Sequence, residues 1–457
     1  MARRAAVLLV AVFMDAPPAC FAKETDHGTA RPNLIIILTD DLGYGDVSHN
    51  GAEDLSTPNI DSLANDGMRF SQMRANCTVC SPTRAALMTG LFPDRAGVPG
   101  VIRTQPESSF GYLRTDVPTL ADEMSRLGYH TSAIGKWHLG LESPNVPNER
   151  GFAHFHGFLG DMMDDYFTHL RHGNNYMRRD GQIIEPEGHA TELFTDWAIE
   201  VVGERSRTDE PFFLYLAYNA PHFPIQPPPE FLDTVRRRMP DADPKRIANV
   251  ALVEHLDENI GRLLTAIADA GIAEETLVAL TSDNGGSLSH AQRNLPFRGG
   301  KQSHFEGGLR VPAVVRYPKR IQAGSVCDAP VMVFDWFPTC ITLGGGEPDE
   351  SLDALDMTKL LNGRGDERFA ARDQYFVRRE GNARYGGLAY HALVRDGIKI
   401  ARQDPFSSYE IFDLNEDPFE ENNLTEKDRK RSNTLKQAVS RQIQIGGRIP
   451  WQPPSSQ

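Results

Sequence analysis

This 457-residue sequence has no excess of basic residues, only five cysteines and no apolar run long enough to cross a bilayer. Each shortage narrows what the chain can do. Its 48 lysines and arginines are outnumbered by 62 acidic residues, giving a formal charge of -14. The cations nowhere cluster into a face that would track a phosphate backbone, which argues against nucleic acid as a partner. An anionic substrate would therefore need a local positive pocket. Four or five cysteines in so long a chain do not make a disulfide scaffold. No polar tract or internal repeat is present. With 40% hydrophobic residues the chain can bury enough apolar surface to offset the entropy of folding. The length predicts one large domain with a smaller one attached.

The first residues read as an export signal. Arg3 and Arg4 precede an apolar run from Ala5 to Met14, and small residues follow up to a cut after Ala22. Pro17 and Pro18 stand where a lipidation box before Cys20 would want an aliphatic and a small residue. The expectation is a signal peptide over residues 1–22 and an exported protein, periplasmic or secreted (lysosomal in a eukaryote), with no stable membrane insertion. Cys77, Cys80, Cys327 and Cys340 remain after the cut.

Through the first three quarters, short apolar runs alternate with helical segments, the pattern of a mostly parallel sheet with helices on both faces. Leu34 to Leu38 reads as a fully buried strand. Further strands are expected around Tyr129 to Ile134, Phe212 to Ala217 and Thr276 to Thr281. Thr57-Pro58 starts a helix that runs to Gly67, and Thr119 caps another closed by Gly128. Leu252, Leu256, Ile260, Leu263, Leu264 and Ile267 mark one buried helix face. The glycine run Gly344 to Gly346 looks like a boundary. Beyond it, Gln374 to Val377, Leu388 to Val394, Ile398 to Ala401 and Tyr409 to Asp413 predict a small antiparallel sheet with a terminal helix. The expected division is a catalytic domain over residues 23–350 and a smaller α+β subdomain over 351–457.

In open α/β sheets, ligands bind beyond the carboxyl ends of the strands. There the sequence places Asp40-Asp41, Asn219-Ala220-Pro221-His222 and Asp283-Asn284-Gly285-Gly286. Three carboxylates and an amide from distant strand ends make an oxygen-rich set suited to calcium or magnesium. Taken singly, each acidic pair serves equally well as a helix or turn cap. Cys80-Ser81-Pro82-Thr83-Arg84 puts Cys80 at or just before a helix N-terminus, where N–H groups favour an anion. Cys77 and Cys80 as a redox pair or disulfide is the alternative, but it explains neither Pro82 nor Arg84.

Cys-x-Pro-Thr-Arg at Cys80 to Arg84 resembles the signature of the type I sulfatases of the alkaline phosphatase superfamily, whose cysteine is oxidised to formylglycine (3-oxoalanine). Asp40 to Asp46, Gly135-Lys136-Trp137-His138, Ala220-Pro221-His222, Ser282 to Gly286, Gly300-Lys301, Glu306 to Pro312 and Tyr409 to Pro418 are similar to that family's blocks, in the family's order. The resemblance implies the alkaline phosphatase-like fold: a large, mostly parallel sheet sandwiched by helices, with a smaller C-terminal antiparallel sheet and helix. It implies one Ca2+ held by Asp40, Asp41, Asp283 and Asn284, with modified Cys80 also at the metal. It also implies a formylglycine-generating or sulfatase-maturating enzyme as a partner.

By the same resemblance, one hydroxyl of the hydrated aldehyde attacks sulfur and the other expels sulfate. A serine would be left as a stubborn sulfated ester. Arg84 would stabilise the hydrate, Asp283 assist deprotonation, Lys136 and Lys301 grip the sulfate, His138 orient the formylglycine, and His222, with Lys301, protonate the leaving alcohol. Each of these basic residues also has a plain structural reading, as a salt bridge or a satisfied core histidine. The segment from Gly151 to His169, followed by Thr191 to Asp196, resembles the arylsulfatase B type, pointing to a sulfated polysaccharide or glycosaminoglycan. Asp164, Asp165, His169, His172 and Asn174 are either a sugar subsite or a solvated loop. Two other readings of the chain stand beside the sulfatase: a phosphoesterase of the same superfamily, and a non-catalytic calcium-binding protein.

Overall fold

The computed structural model describes residues 31–453, so the export signal and Cys20 lie outside the described residues. In chain order the strands are β1 (Asn33–Thr39), β2 (Met68–Phe70), β3 (His130–Lys136), β4 (His154–Phe158), β5 (Leu170–Arg171), β6 (Asn174–Asn175), β7 (Met177–Arg179) and β8 (Gln182–Ile183). They continue with β9 (Phe212–Ala217), β10 (Thr276–Ser282), β11 (Ala313–Arg316), β12 (Ser325–Cys327), β13 (Gln374–Arg379), β14 (Ala389–Arg395), β15 (Ile398–Ala401) and β16 (Glu410–Asp413).

Ten strands form one sheet in the order β12-β2-β11-β10-β1-β9-β3-β4-β7-β8, and β13 to β16 form a separate four-stranded antiparallel sheet. The centre of the large sheet, from β10 through β4, is parallel. Antiparallel strands enter only toward the two edges, at β11 and β7. The expected architecture is what the chain adopts: a large, mostly parallel sheet covered by helices, with a smaller C-terminal sheet.

Strand β1 shows how the core is divided. Leu34, Ile36 and Leu38 point to one face and pack with Ala85, Leu87 and Met88. Ile35 and Ile37 point to the other, against Leu252, Leu256, Ile260, Leu263 and Ile267. That second group lies on the helix Pro244–Asp269, longer at its start than the periodic positions alone marked. A run of β-branched and leucine residues with no polar alternation is what burial on both faces requires. Truncating one such side chain to alanine costs about 2–5 kcal/mol.

The helix Cys80–Thr89 is buried along its whole length. Ala85, Leu87 and Met88 pack toward the large sheet, while Ala86 joins Tyr375, Phe376, Val377, Ala392 and Val394 of the small one. The C-terminal helix Arg429–Gly446 places Leu435, Ala438 and Val439 on the outer side of that sheet, against Leu393, Ile400 and Ile411.

Helix limits shift by a residue or two from the sequence reading. The first helix is Pro58–Asn65, two residues short of Gly67. The second is Leu120–Arg126, with Thr119 and Asp122 forming a reciprocal capping box.

Candidate functional site

Parallel register brings four strand ends to one place. Thr39 lies opposite Ser282, so Asp40-Asp41 and Asp283-Asn284 leave the sheet side by side. Leu38 lies opposite Ala217, which sets Tyr218 to His222 on the other flank. Gly135 lies opposite Ala217, so Lys136 ends β3 at the same level. A side chain at Gly135 would meet the Ala217 carbonyl at 2.1 Å, and its φ of +95° is one that glycine adopts without strain.

Onto these ends the helix Cys80–Thr89 delivers its first residue. The Cys80 thiol donates to Asp40 Oδ1 at 3.2 Å, and Lys301 Nζ stands 3.9 Å from the sulfur. Lys136 is ion-paired with Asp40, while Lys301 donates to Asp41 Oδ2 at 2.7 Å. Arg84 turns its Nε and Nη2 to Asp283 Oδ2 at 2.9 and 2.6 Å and approaches Asp40 at 3.9 Å. Asp283 uses its other oxygen to accept the Asp41 N–H at 3.2 Å. Asp40, Asp41, Cys80, Arg84, Lys136 and Asp283 are buried, and Lys301 is partly exposed. Asp41 and His138 hold φ values of +66° and +59°, the left-handed region that costs a non-glycine residue about 1–3 kcal/mol and gathers at functional sites.

His222 Nε2 faces Asp41 Oδ2 at 3.6 Å, and its Nδ1 lies 2.5 Å from the Phe223 carbonyl. A carbonyl only accepts, so Nδ1 carries a proton and Nε2 is the position that gains or loses one. His138 Nε2 lies 2.7 Å from the Ile102 carbonyl. Its Nδ1 is buried without a hydrogen-bond partner among the described residues.

The electrostatics are those of dense opposite charges in a dry place. Burial would raise Asp40, but Lys136, His222, Arg84 and Lys301 together hold it well below the usual carboxylate range. Burial and the neighbouring Asp40 push Asp283 up, against the pull of Arg84. Burial, then the charges of Asp283 and Asp40, drive the Cys80 thiol well above its ordinary value.

The oxygen donors fit a hard cation. Ligand atoms of Asp40, Asp41, Cys80 and His222 all lie within 4.8 Å of one another. Asn284 donates through Nδ2 to Asp41 at 2.7 Å, and its Oδ1 is a buried acceptor with no partner among the described residues. Buried carboxylates with an orphaned amide oxygen are the donor set of a calcium or magnesium site.

Every sequence-predicted residue, Asp40, Asp41, Cys80, Arg84, Lys136, His138, His222, Asp283, Asn284 and Lys301, therefore falls in one buried cluster or its immediate wall. The four later cysteines are free, so Cys77 and Cys80 form no disulfide, nor do Cys327 and Cys340. The segment after β4 holds most of its polar side chains in local hydrogen bonds. Asp164 is bound by Arg171 and the His172 N–H, Asp165 caps the turn at Phe167 and Thr168, and His169 is buried against the Gly188 carbonyl. These partners give Asp164, Asp165 and His169 roles in holding the loop's shape. Its Tyr166 hydroxyl bridges the Asn219 and His222 carbonyls at 2.8 and 2.9 Å, a brace that no local sequence pattern announced. Ser81, which accepts the Ile102 N–H at 3.0 Å and so steadies the carbonyl at His138, was missed for the same reason.

Carboxylates, lysines and a helix N-terminus at the strand ends of this fold define a centre for cleaving esters of anionic oxyacids. Comparison with known proteins narrows the class. The sulfatase family profile matches residues 32–346, and that of the C-terminal part of N-sulphoglucosamine sulphohydrolase matches residues 300–445. The chain belongs to the sulfatase family, a family of sulfuric ester hydrolases. It is 34% identical to N-acetylgalactosamine-6-sulfatase of Sus scrofa over 362 residues, 74% of this chain and 67% of that one. Against arylsulfatase A of Homo sapiens it is 34% identical over 359 residues, 73% of this chain and 68% of that one. The match thus spans about two thirds of the length of these relatives. Among solved structures, Ps i-CgsB in complex with k-i-k-neocarrahexaose superposes with a TM-score of 0.84 at 28% identity, covering 93% of this chain and 95% of that one. No helix among the described residues is long and apolar enough to cross a membrane.

Proposed function

We propose that the protein hydrolyses sulfate monoesters of a sulfated carbohydrate, with residue 80 as nucleophile after its oxidation from cysteine to formylglycine. The observation that carries this is the position of Cys80: the first residue of a buried helix, at the head of the Cys80 to Arg84 motif, 3.2 Å from Asp40 and 3.9 Å from Lys301. The carbohydrate follows from the relatives, one named for N-acetylgalactosamine sulfate and another bound to a neocarrahexaose.

Asp40, Asp41, Asp283 and Asn284 would hold a calcium ion, which supplies positive charge against the sulfate oxygens. Formylglycine, as its hydrate, supplies a hydroxyl to attack sulfur and a second through which sulfate is released. The remaining work belongs to side chains. Lys136 and Lys301 bring two ammonium groups to the centre, where charge neutralisation in a dry site is strongest. Arg84 anchors Asp283 from the helix that carries residue 80, so nucleophile and carboxylate keep one geometry. His222 presents Nε2 toward the reacting centre, and a proton taken up there can pass to the departing sugar alcohol. Burial and Lys301 lower its basicity, which eases that transfer. His138 fixes the wall beside Lys136 through the Ile102 carbonyl.

Cys80 is only 4% exposed. A maturation enzyme therefore has to reach it before the chain closes around it, consistent with export of a chain modified while unfolded. The deciding experiment is mass spectrometry of the peptide spanning Cys80, on protein from a host with a maturation enzyme, together with hydrolysis of an aryl sulfate and an aryl phosphate. An aldehyde mass at residue 80, sulfate ester turnover and its loss in Cys80→Ala establish the reading. Preference for phosphate ester makes the protein a phosphoesterase. An unmodified thiol with no turnover makes it a calcium-binding relative without catalysis.

A further inference from the structure

His222 is followed by a side chain that the chemistry above does not use. Phe223 is 45% exposed, although it adjoins one of the most polar places in the molecule. One face of its ring is covered by His290, with centroids 4.7 Å apart and planes 17° from parallel. The other face has no ring against it among the described residues. His290 belongs to the loop after β10 and lies close enough to Asp41 and Lys301 for both charges to act on it. The same loop exposes Leu288 and Leu295, at 59% and 61%. Leu288 packs beside Gly300, so a Cβ there would meet it at 3.1 Å. Lys301 follows directly. An apolar rim thus joins the two loops that carry His222 and Lys301.

Isolated exposed hydrophobics are ordinary, but a backed aromatic ring next to a buried polar centre offers a flat apolar face on which a ligand can pack. A pyranose matches it: polar hydroxyls at its edge and a face of C–H groups that packs on an aromatic ring. We infer that the Phe223–His290 pair is the platform for the sugar ring bearing the sulfate ester. The C–H face of that sugar lies on the free face of Phe223, and the ester oxygen meets His222 Nε2. His290 serves as a positioning residue, keeping Phe223 upright. This inference rests on the sulfatase reading and adds to it where the leaving group sits.

The test uses full-length protein with residue 80 converted, and four forms: wild type, Phe223→Ala, Phe223→Tyr and His290→Ala. Probes are carrageenan oligosaccharides, N-acetylgalactosamine 6-sulfate, and inorganic sulfate as a competitive inhibitor. Sulfate alone occupies the charged centre without touching the platform. Phe223→Ala is expected to raise KM for the sulfated sugar on the order of tenfold, with the inhibition constant of sulfate held within about twofold. Phe223→Tyr restores KM, and His290→Ala falls between. An unchanged KM in Phe223→Ala, or a parallel rise in the sulfate inhibition constant, overturns the platform while leaving the sulfatase reading intact. A converted wild type that hydrolyses no sulfate ester overturns both.

Discussion

Lys301 is held in place by the C-terminal sheet, and that hold can be broken without touching the catalytic centre. Its neighbour Gln302 has a φ of +75°, a conformation costing a non-glycine residue about 1–3 kcal/mol. The Gln302 carbonyl accepts from Arg378 Nη1 at 2.7 Å and from the Tyr390 hydroxyl at 3.0 Å, while its N–H donates to the Thr78 carbonyl at 2.9 Å. Arg378 and Tyr390 are buried, on β13 and β14. A neutral hydrogen bond contributes about 1 kcal/mol and one from a charged donor about 1.5–3 kcal/mol. Together they supply about 2.5–4 kcal/mol, enough to hold a conformation that costs about 1–3 kcal/mol. Tyr390→Phe removes the weaker one and is expected to lower kcat about fivefold. Tyr390→Phe with Arg378→Lys keeps the charge opposite Glu380 but lets Gln302 relax and draw Lys301 away from Asp41 and Cys80. A displacement of about 1 Å at a positioning group costs on the order of a hundredfold in kcat. Steady-state hydrolysis of an aryl sulfate reads the effect, with thermal melting to follow the fold. Wild-type kcat in the double variant would refute the reasoning, as would a loss no larger than the loss of folded protein.

Three further outcomes follow from buried charge. Lys399 lies between Glu306 at 3.1 Å and Glu420 at 2.9 Å, all three fully buried; Lys399→Met leaves Glu420 without its cation, while Glu306 keeps Arg74 and Arg310. It should destabilise the protein by about 3–5 kcal/mol in chemical denaturation. Burial raises Asp94 to about 7, while the Tyr375 hydroxyl, 3.1 Å away, pulls it down. The unfolded chain loses this proton near pH 4 and the folded protein near pH 7, so the folded state binds more protons between them and stability falls as pH rises through that window. Asp94→Asn should flatten the fall, and melting temperatures across pH 4–8 measure it. Chelation with EDTA should abolish sulfate ester hydrolysis and also lower the melting temperature, with Ca2+ restoring both. A cation at a hundred times its dissociation constant contributes about 2.7 kcal/mol to the folded state. An unchanged melting temperature would remove the ion from Asp40 and Asp41.

The parts of the molecule legible in the sequence are those whose cause is local. A five-residue apolar run gives β1, and Thr119 with Asp122 gives a cap, because the energetics sit within a few residues. The edge and short strands were harder. β4 contains His154, His156 and Gly157, and carries no run of β-branched residues to mark it. The candidate site was readable for a related reason. Parallel strands buried on both faces must end at one side of the sheet, so whatever follows several of them converges without any long-range information.

What the sequence concealed is the outer support of that centre. Tyr166, Ser81, Arg378 and Tyr390 act by gripping backbone carbonyl or N–H groups of distant segments, and a backbone group has the same signature in every residue. Their positions depend on how the small sheet meets the helix Cys80–Thr89, which no spacing within either segment encodes. This division has a functional consequence. Residues that perform chemistry are fixed by the strand ends and keep their spacing. Residues that set the angle of Lys301 or the loop around His222 lie in segments free to change. Differences in sugar preference among proteins with the same centre should therefore arise in the loops at Phe223 and His290, and grafting those loops between two such enzymes should transfer KM preferences while leaving the inhibition by inorganic sulfate as it was.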